Sequence, residues 1–375
     1  MNFEYTEEQQ QLADSLRRYL ANEYAFDRRK AIIASPQGVS DAAWAAFAEL
    51  GLTAITLPES DGGFGGGAVD LMAPMEACGE ALVVEPLIET IGLGARLVAR
   101  AGSPAQRERL LRGVAEGSVR LAFASLEPGR RYQLDPQTTT ARVENGAWLL
   151  EGEKTVVIGA PSAHCLIVSA RTAAGVSLFL VPAGTPGLSL SPCRTVDGQR
   201  AADVRLSGVR LPADALLGAD GAALPHIEEA VDFATALLCA DAVGAMKQAT
   251  DATLEYTRNR KQFGVPISSF QVLQHRMVDM FIQLEQSISM TYMATIRLSD
   301  SDAERAKAVS AAKVQIGKAC KFVGQNAIQL HGGMGMTDEM AIGHYFKRAT
   351  MIEGLFGSTD HHLARYEALS LGAAA

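Results

Sequence analysis

Gln329-Leu330-His331-Gly332-Gly333-Met334-Gly335 closes a stretch of helical periodicity running from about 302 to 330. The paired glycines that follow offer a turn whose backbone N–H groups can face an anion. Upstream stands Arg260-Lys261-Gln262-Phe263-Gly264, then Phe270-Gln271, between two further helical stretches. An arginine supplies a fixed cation with a planar donor fork, and a glycine turn supplies close amide donors, a pairing suited to phosphate. Gln271 and Gln329 carry both donor and acceptor atoms. Singly, Arg260 reads equally well as a solvated charge at a helix end, and Gly332-Gly333 as a C-cap.

Working outward, helical patterns cover about 225–259, 269–299, 302–330 and 338–356, with a shorter one from Thr359. Their lengths suit a four-helix bundle. The stretch Phe270–Met290 is rich in apolar residues (Val272, Leu273, Met277, Met280, Phe281, Leu284), which predicts an extensive interface between chains. Before Leu224-Pro225 the texture is different. Short β-prone runs at Leu121–Ala124, Thr138–Val143, Trp148–Leu150, Cys165–Ser169, Val176–Val181 and Ala202–Leu206 are separated by turns such as Asn145-Gly146 and Asp197-Gly198. Earlier still, Thr6-Glu7-Glu8-Gln9 reads as a capping box, and helices are expected near 40–50, 70–100 and 104–116, with a glycine-rich loop from Pro58 to Gly67. The order is α, β, α, with domains expected at 1–117, 118–224 and 225–375.

The chain has 375 residues, 48% of them hydrophobic, and a net charge of −8. That length exceeds what one core usually serves. The absence of a basic stripe argues against a nucleic-acid partner. No apolar run is long enough to span a bilayer and no segment resembles a signal peptide, so a cytoplasmic location is expected. Five cysteines, Cys78, Cys165, Cys193, Cys239 and Cys320, lie far apart and read as buried thiols rather than a disulfide framework or a metal site. His361 and His362 are adjacent, so on a helix they point apart and read as a polar helix start rather than a metal pair.

With these motifs in this order, the chain resembles the acyl-CoA dehydrogenase family over essentially its whole length. Besides the two stretches quoted first, the resemblance rests on Pro58-Glu59 with Gly62-Gly63, on Gly152-Glu153-Lys154, and on Val209-Arg210-Leu211-Pro212 through Leu217-Gly218. It implies an α+β fold with an N-terminal helical domain, a middle β-barrel or sandwich domain and a C-terminal four-helix bundle. It implies FAD as cofactor, contacted by Arg260, Phe263, Phe270, Gln271, Gln329, Gly332, Gly333 and Thr359. In the family these groups serve the FAD of a neighbouring protomer, so an obligate oligomer is implied. An acyl-CoA substrate and an electron-transfer flavoprotein as acceptor are implied likewise.

The family's chemistry also needs a glutamate to take the α-proton of the thioester. Its Tyr-Glu-Gly-Thr-Ser segment corresponds here to Phe356-Gly357-Ser358-Thr359-Asp360, and the alternative location on the first helix of the last domain corresponds to Ala234, beside Thr235. Neither carries a carboxylate. The Thr-Glu-x-x-x-Gly-Ser-Asp run survives only as Leu126-Glu127-Pro128, and the Trp-Ile-Thr after Lys154 is replaced by Val156-Val157-Ile158. Groups serving the chain's own flavin ring are missing, while those serving a neighbour's FAD remain. That pattern resembles the small subunit of pimeloyl-CoA dehydrogenase and other non-catalytic chains of heteromeric dehydrogenases, a resemblance to which Tyr345-Phe346-Lys347-Arg348 and Asp360-His361-His362-Leu363 contribute. Two other expectations stand beside it: a self-sufficient flavoenzyme with a relocated base, for which Asp360 and Asp232 are the nearest carboxylates, and a binding or scaffold protein that oxidises nothing. On the bland view Asp232 is a solvated helix charge and Asp360 a helix-start residue.

Overall fold

The computed structural model describes residues 5–372. Helices α1 (Glu7–Glu23), α2 (Phe26–Ala34), α3 (Asp41–Glu49), α4 (Ala68–Ala81), α5 (Ala95–Ala101) and α6 (Pro104–Ala115) come first. Strands β1 (Leu121–Ala124), β2 (Thr140–Glu144), β3 (Ala147–Ile158), β4 (Cys165–Arg171), β5 (Val176–Pro182), β6 (Leu188–Arg194), β7 (Arg200–Leu211) and β8 (Leu216–Leu217) follow. After α7 (Leu224–Asn259), the short strands β9 (Lys261–Gln262) and β10 (Val265–Pro266) lead to α8 (Gln271–Ile296), α9 (Asp302–His331), α10 (Ala341–Gly354) and α11 (Thr359–Gly372). Two compact units emerge. One holds the chain through Arg29, Ala68–Val83 and everything from Thr235; the other holds Lys30–Gly67 and Val84–Ala234.

In the first unit α9 packs against α8, α10 and α11, and α1 packs against α4. The capping box at Thr6 is present, with Gln9 N donating to Thr6 Oγ1 and Thr6 N to Gln9 Oε1. Helices α4 and α7 approach so closely that a Cβ on Gly79 would lie 1.9 Å from Asp241 O, and one on Gly244 would lie 1.9 Å from Glu76 O. Only glycine permits that crossing. The end of α4 is held by two buried arginines: Arg29 Nε donates to Leu82 O at 2.6 Å, and Arg348 Nη2 donates to Val83 O. These cations satisfy carbonyls that a helix end leaves open. Tyr345 donates to Glu80 O, so Tyr345 and Arg348 of the quoted string work within the protein interior.

The second unit carries an eight-stranded sheet in the order β6-β7-β3-β2-β4-β5-β8, with β1 added parallel to β4. Trp148, Leu150, Leu166, Val168, Phe179, Val181, Val204 and Leu206 belong to its core. Asn145 and Gly146 both have positive φ, 54° and 78°, as a two-residue turn between β2 and β3 demands. Strands β3 and β7 extend far beyond the apolar runs that mark them in the sequence, because polar Glu153, Asp203 and Arg205 alternate outward along them. Strand β6 is absent from the sequence-based expectation: at the sheet edge, with Pro192 and alternating exposure, it has little apolar signal. Its Cys193 is exposed, contrary to the expected buried thiol, whereas the other four cysteines are buried. The helix expected over 70–100 is interrupted where Leu82 takes φ 55° and Pro86 follows, and resumes as a π-helical stretch, Ile88–Gly94, leading into α5. No described helix is long and apolar enough to cross a membrane.

Within the first unit Glu76 of α4 accepts from Tyr5 Oη at 3.1 Å. One turn on, Glu80 pairs with Arg17 at 3.0 Å and Lys247 at 3.1 Å. Burial lifts the Glu76 carboxyl to about 7; Tyr5, Arg17 and Lys247 pull the other way without prevailing. A carboxyl raised in the folded state favours folding fully below its unfolded value of 4.5, and that contribution is lost as pH climbs through 7. Glu76→Gln is therefore expected to gain stability relative to the wild type on passing from below pH 4.5 to above pH 7, by on the order of 3 kcal/mol. Urea unfolding of both proteins at the two ends measures it; parallel pH profiles would show that Glu76 is not the source.

Candidate cofactor cavity and the Gly357 corner

In the first unit, a cavity of about 680 Å³ opens where the end of α7, the β9–β10 hairpin, the start of α8 and the end of α9 meet. Arg260, Gln329, Gly332 and Gly333 line it together, and Arg276 joins them. The Arg260 side chain has no partner among the described residues, and Arg276 makes one contact, Nη1 to Asn326 Oδ1 at 3.1 Å. One wall is Tyr256 stacked on His331, with ring centroids 4.3 Å apart. His331 Nδ1 lies 2.8 Å from Ala327 O, so that nitrogen carries the proton; burial keeps the ring's pKa below its ordinary value. Gly332 has φ 59°, and nothing lies within 4 Å of the Cβ positions of Gly332 or Gly333, so the glycine turn is open.

The other expected contacts are placed differently. Phe263 and Gly264, with φ 54° and 82°, form the tip of the β9–β10 hairpin. Phe263 is 91% exposed there and meets Phe270 edge-on at 6.2 Å. Gln271 opens α8 in an exposed position and does not line the cavity. Thr359 opens α11, its Oγ1 beside Gly317 of α9. Gly317 is twelve residues before Gln329, about 18 Å along the helix. Sequence reasoning missed Arg276 and Tyr256, whose only signal was their position one or two turns from the quoted motifs. Along α8, Val272, Val278, Phe281 and Ile282 are exposed, while Met280 and Leu284 are buried.

Gly357, at the base position, has φ 127° and is buried. A Cβ there would lie 2.5 Å from His362 Nε2 and 2.6 Å from His361 Cδ2. His362 is not a solvated helix-start residue; it is 1% exposed. Its Nε2 donates to Phe356 O at 3.1 Å and its Nδ1 accepts from Ser310 Oγ at 3.3 Å. Burial, reinforced by Lys313, holds this imidazole neutral by lowering its pKa to about 3. Beneath it the buried Lys313 Nζ donates to Gly357 O at 2.7 Å and Glu353 O at 3.0 Å, while Glu353 Oε1 accepts from Thr359 N at 2.9 Å. Asp360 is exposed near the start of α11, as a helix-start residue should be. Asp232 is 0% exposed, so it is not the solvated charge expected of it. In the same helix Ala234 and Thr235 are buried.

In the second unit the surviving Glu127 accepts from the backbone N–H groups of Gln137, Thr138 and Thr139 at 2.8–2.9 Å, and pairs with Lys154 at 3.3 Å. Burial works to raise this carboxyl, but the three amides and Lys154 override it and hold it at about 2. Lys154 also donates to Ser125 O and Ser169 Oγ; burial lowers it to about 8. The two residues thus close the loop between β1 and β2 from inside. Beyond them Val156 takes φ 48° with its side chain 45% exposed. Asp203 Oδ1 accepts from Val156 N at 2.9 Å and Thr155 Oγ1 at 2.8 Å, pinning a conformation that a β-branched residue otherwise avoids.

The corner predicts that Gly357 tolerates no side chain. Gly357→Ala is expected to cost about 2–4 kcal/mol, from the positive φ and the clash with two ring edges, and Gly357→Glu at least as much. Denaturant unfolding measures both. A loss under roughly 0.5 kcal/mol, the range of a neutral surface substitution, would show that the corner yields freely.

Sequence profiles for the acyl-CoA dehydrogenase N-terminal, middle and C-terminal domains match residues 6–118, 122–209 and 224–368. Acyl-CoA dehydrogenase fadE12 of Mycobacterium bovis is 32% identical over 356 residues, covering 91% of this chain and 90% of its own. Among solved structures, a variant of the Tcur3481-Tcur3483 steroid ACAD superposes with a TM-score of 0.89 at 30% identity, over 98% of this chain and 99% of that one. PigA with FAD and proline superposes with a TM-score of 0.91 at 25% identity over 100% of both. The chain belongs to the acyl-CoA dehydrogenase family of oxidoreductases.

Proposed function

We propose that this chain is the partner subunit of a heteromeric acyl-CoA dehydrogenase: it completes FAD sites, and a second dehydrogenase chain supplies the base. The observation that carries this is the Gly357 corner. The base position has no carboxylate, and its side-chain volume is filled by His361 and His362, while a cavity with two guanidiniums stands ready in the same unit. A pocket that gathers Arg260, Arg276 and an open Gly332-Gly333 turn fits a diphosphate. Arg260 and the glycine turn would hold that diphosphate, with Gln329 beside them in the lining. Bound flavin supplies the acceptor for the β-hydrogen, and an electron-transfer flavoprotein is the expected outlet for its electrons. The substrate class is an acyl-CoA thioester. The name of the steroid ACAD at 30% identity pairs two proteins, Tcur3481 and Tcur3483, which agrees with a two-chain enzyme. The exposed apolar residues of α8, with Phe263 at its hairpin tip, give such an assembly a surface to bury.

Purified alone, the chain is expected to show little or no acyl-CoA dehydrogenation, about 10²–10⁴-fold below a competent enzyme. Co-purified with a second dehydrogenase that keeps the glutamate, it is expected to form a yellow, active complex. An absorption spectrum and an acyl-CoA panel measure both. Robust turnover by the chain alone, abolished by Asp360→Asn or Asp232→Asn, would install a relocated base instead; a colourless assembly without turnover would install a scaffold. In the complex, Arg260→Ala is expected to weaken FAD retention roughly 10–100-fold, the worth of a charge-assisted hydrogen bond, while the isolated variant stays folded. Unchanged flavin affinity would remove Arg260 from the site.

A further inference from the structure

The second unit contains a smaller cavity, about 250 Å³, that the cofactor chemistry does not use. Thr56, Leu57 and Ile91 form part of its wall, and Arg96, Arg100 and Arg107 surround it. The arginines do not neutralise themselves. Arg107 pairs with Asp61 at 2.6 Å. Arg96 forks onto Glu229 and lies 4.1 Å over the Phe233 ring, so it is fixed in place. Among the described residues Arg100 has only one polar partner, Nη2 to Glu229 Oε1 at 3.2 Å, on an oxygen that already receives Arg96. Three guanidiniums therefore meet two carboxylates, and most of the Arg100 donor fork is unused. The Thr56 hydroxyl has no hydrogen-bond partner among the described residues and adds a neutral donor to the same cavity. Leu57 and Ile91, with Ala99, make the remaining wall apolar.

We propose that this cavity binds a short-chain aliphatic monocarboxylate, its carboxylate on Arg100 and Thr56 and its alkyl tail against Leu57, Ile91 and Ala99. One surplus positive charge matches a monoanion, and a planar guanidinium fork matches a carboxylate edge. The volume exceeds what a bare inorganic oxyanion fills, and an apolar wall gains nothing from one.

Isothermal titration of the full chain with butyrate, at constant ionic strength against chloride, tests this. Saturable one-to-one binding is expected, with inorganic phosphate at least tenfold weaker and butylamine not bound. Arg100→Gln leaves Glu229 its Arg96 partner, so the fold is expected to persist while butyrate affinity falls about tenfold or more. Ala99→Leu keeps every charge and fills the apolar side; it is expected to weaken butyrate without strengthening phosphate. Absence of saturable butyrate binding overturns the proposal. So does equal affinity in the wild type and both variants, provided circular dichroism shows them folded. Phosphate binding as tightly as butyrate overturns the carboxylate assignment.

Discussion

Lys313 places its amino group under the corner between α10 and α11, where the carbonyls of Glu353 and Gly357 accept from it and burial lowers its pKa. A polar group buried this deeply is tolerated only when its donors are satisfied, so the corner must keep the backbone path that presents those two oxygens. That path puts Gly357 at positive φ and brings His361 and His362 against it. Gly317 of α9 has no side chain for the same reason, since Thr359 Oγ1 stands 2.3 Å from where its Cβ would be. The missing carboxylate is thus one feature of a repacked corner. Lysine, histidine and two glycines are mutually adjusted there.

The same device recurs in the β-rich unit. Lys154 and Glu127, both almost fully buried, form an ion pair that also binds five other backbone or hydroxyl groups. Removing either partner would leave a buried charge uncompensated, which is far costlier than losing a surface pair. Two of the family's sequence landmarks therefore persist here as internal architecture, independent of whether a flavin ring is contacted. The strained Val156, its N–H held by Asp203 of β7, stands two residues beyond Lys154 on β3.

A cavity with an unpartnered arginine is a different kind of feature. Arg260 stands in solvent-facing space without a counter-charge among the described residues, an arrangement that folding does not require. Exposed Phe263 on a hairpin tip and the apolar face of α8 are likewise costly to leave in water. These features share one unit with the blocked corner.

Much was legible in the sequence because it is locally encoded. The Thr6 capping box, the Asn145-Gly146 turn, the helical period of α7 to α9 and the Arg260 and Gly332-Gly333 motifs each depend on residues a few positions apart, and each is present. The loss of a carboxylate at 357 could be read from a single letter. What the letters could not say depends on groups far apart in the chain. That Asp232 and His362 are buried, that Arg276 shares a cavity with Arg260, and that β6 pairs at a sheet edge despite Pro192 follow from packing. So does the filling of the Gly357 position: His362 is five residues away, but its ring is held there by Ser310 of α9 and by the Phe356 carbonyl. By itself the sequence determined most of the helices, the turns and the lack of a carboxylate at 357. Only the tertiary structure decided which charges lie inside and which face an open cavity, because burial and charge pairing are set by neighbours that sequence spacing does not reveal.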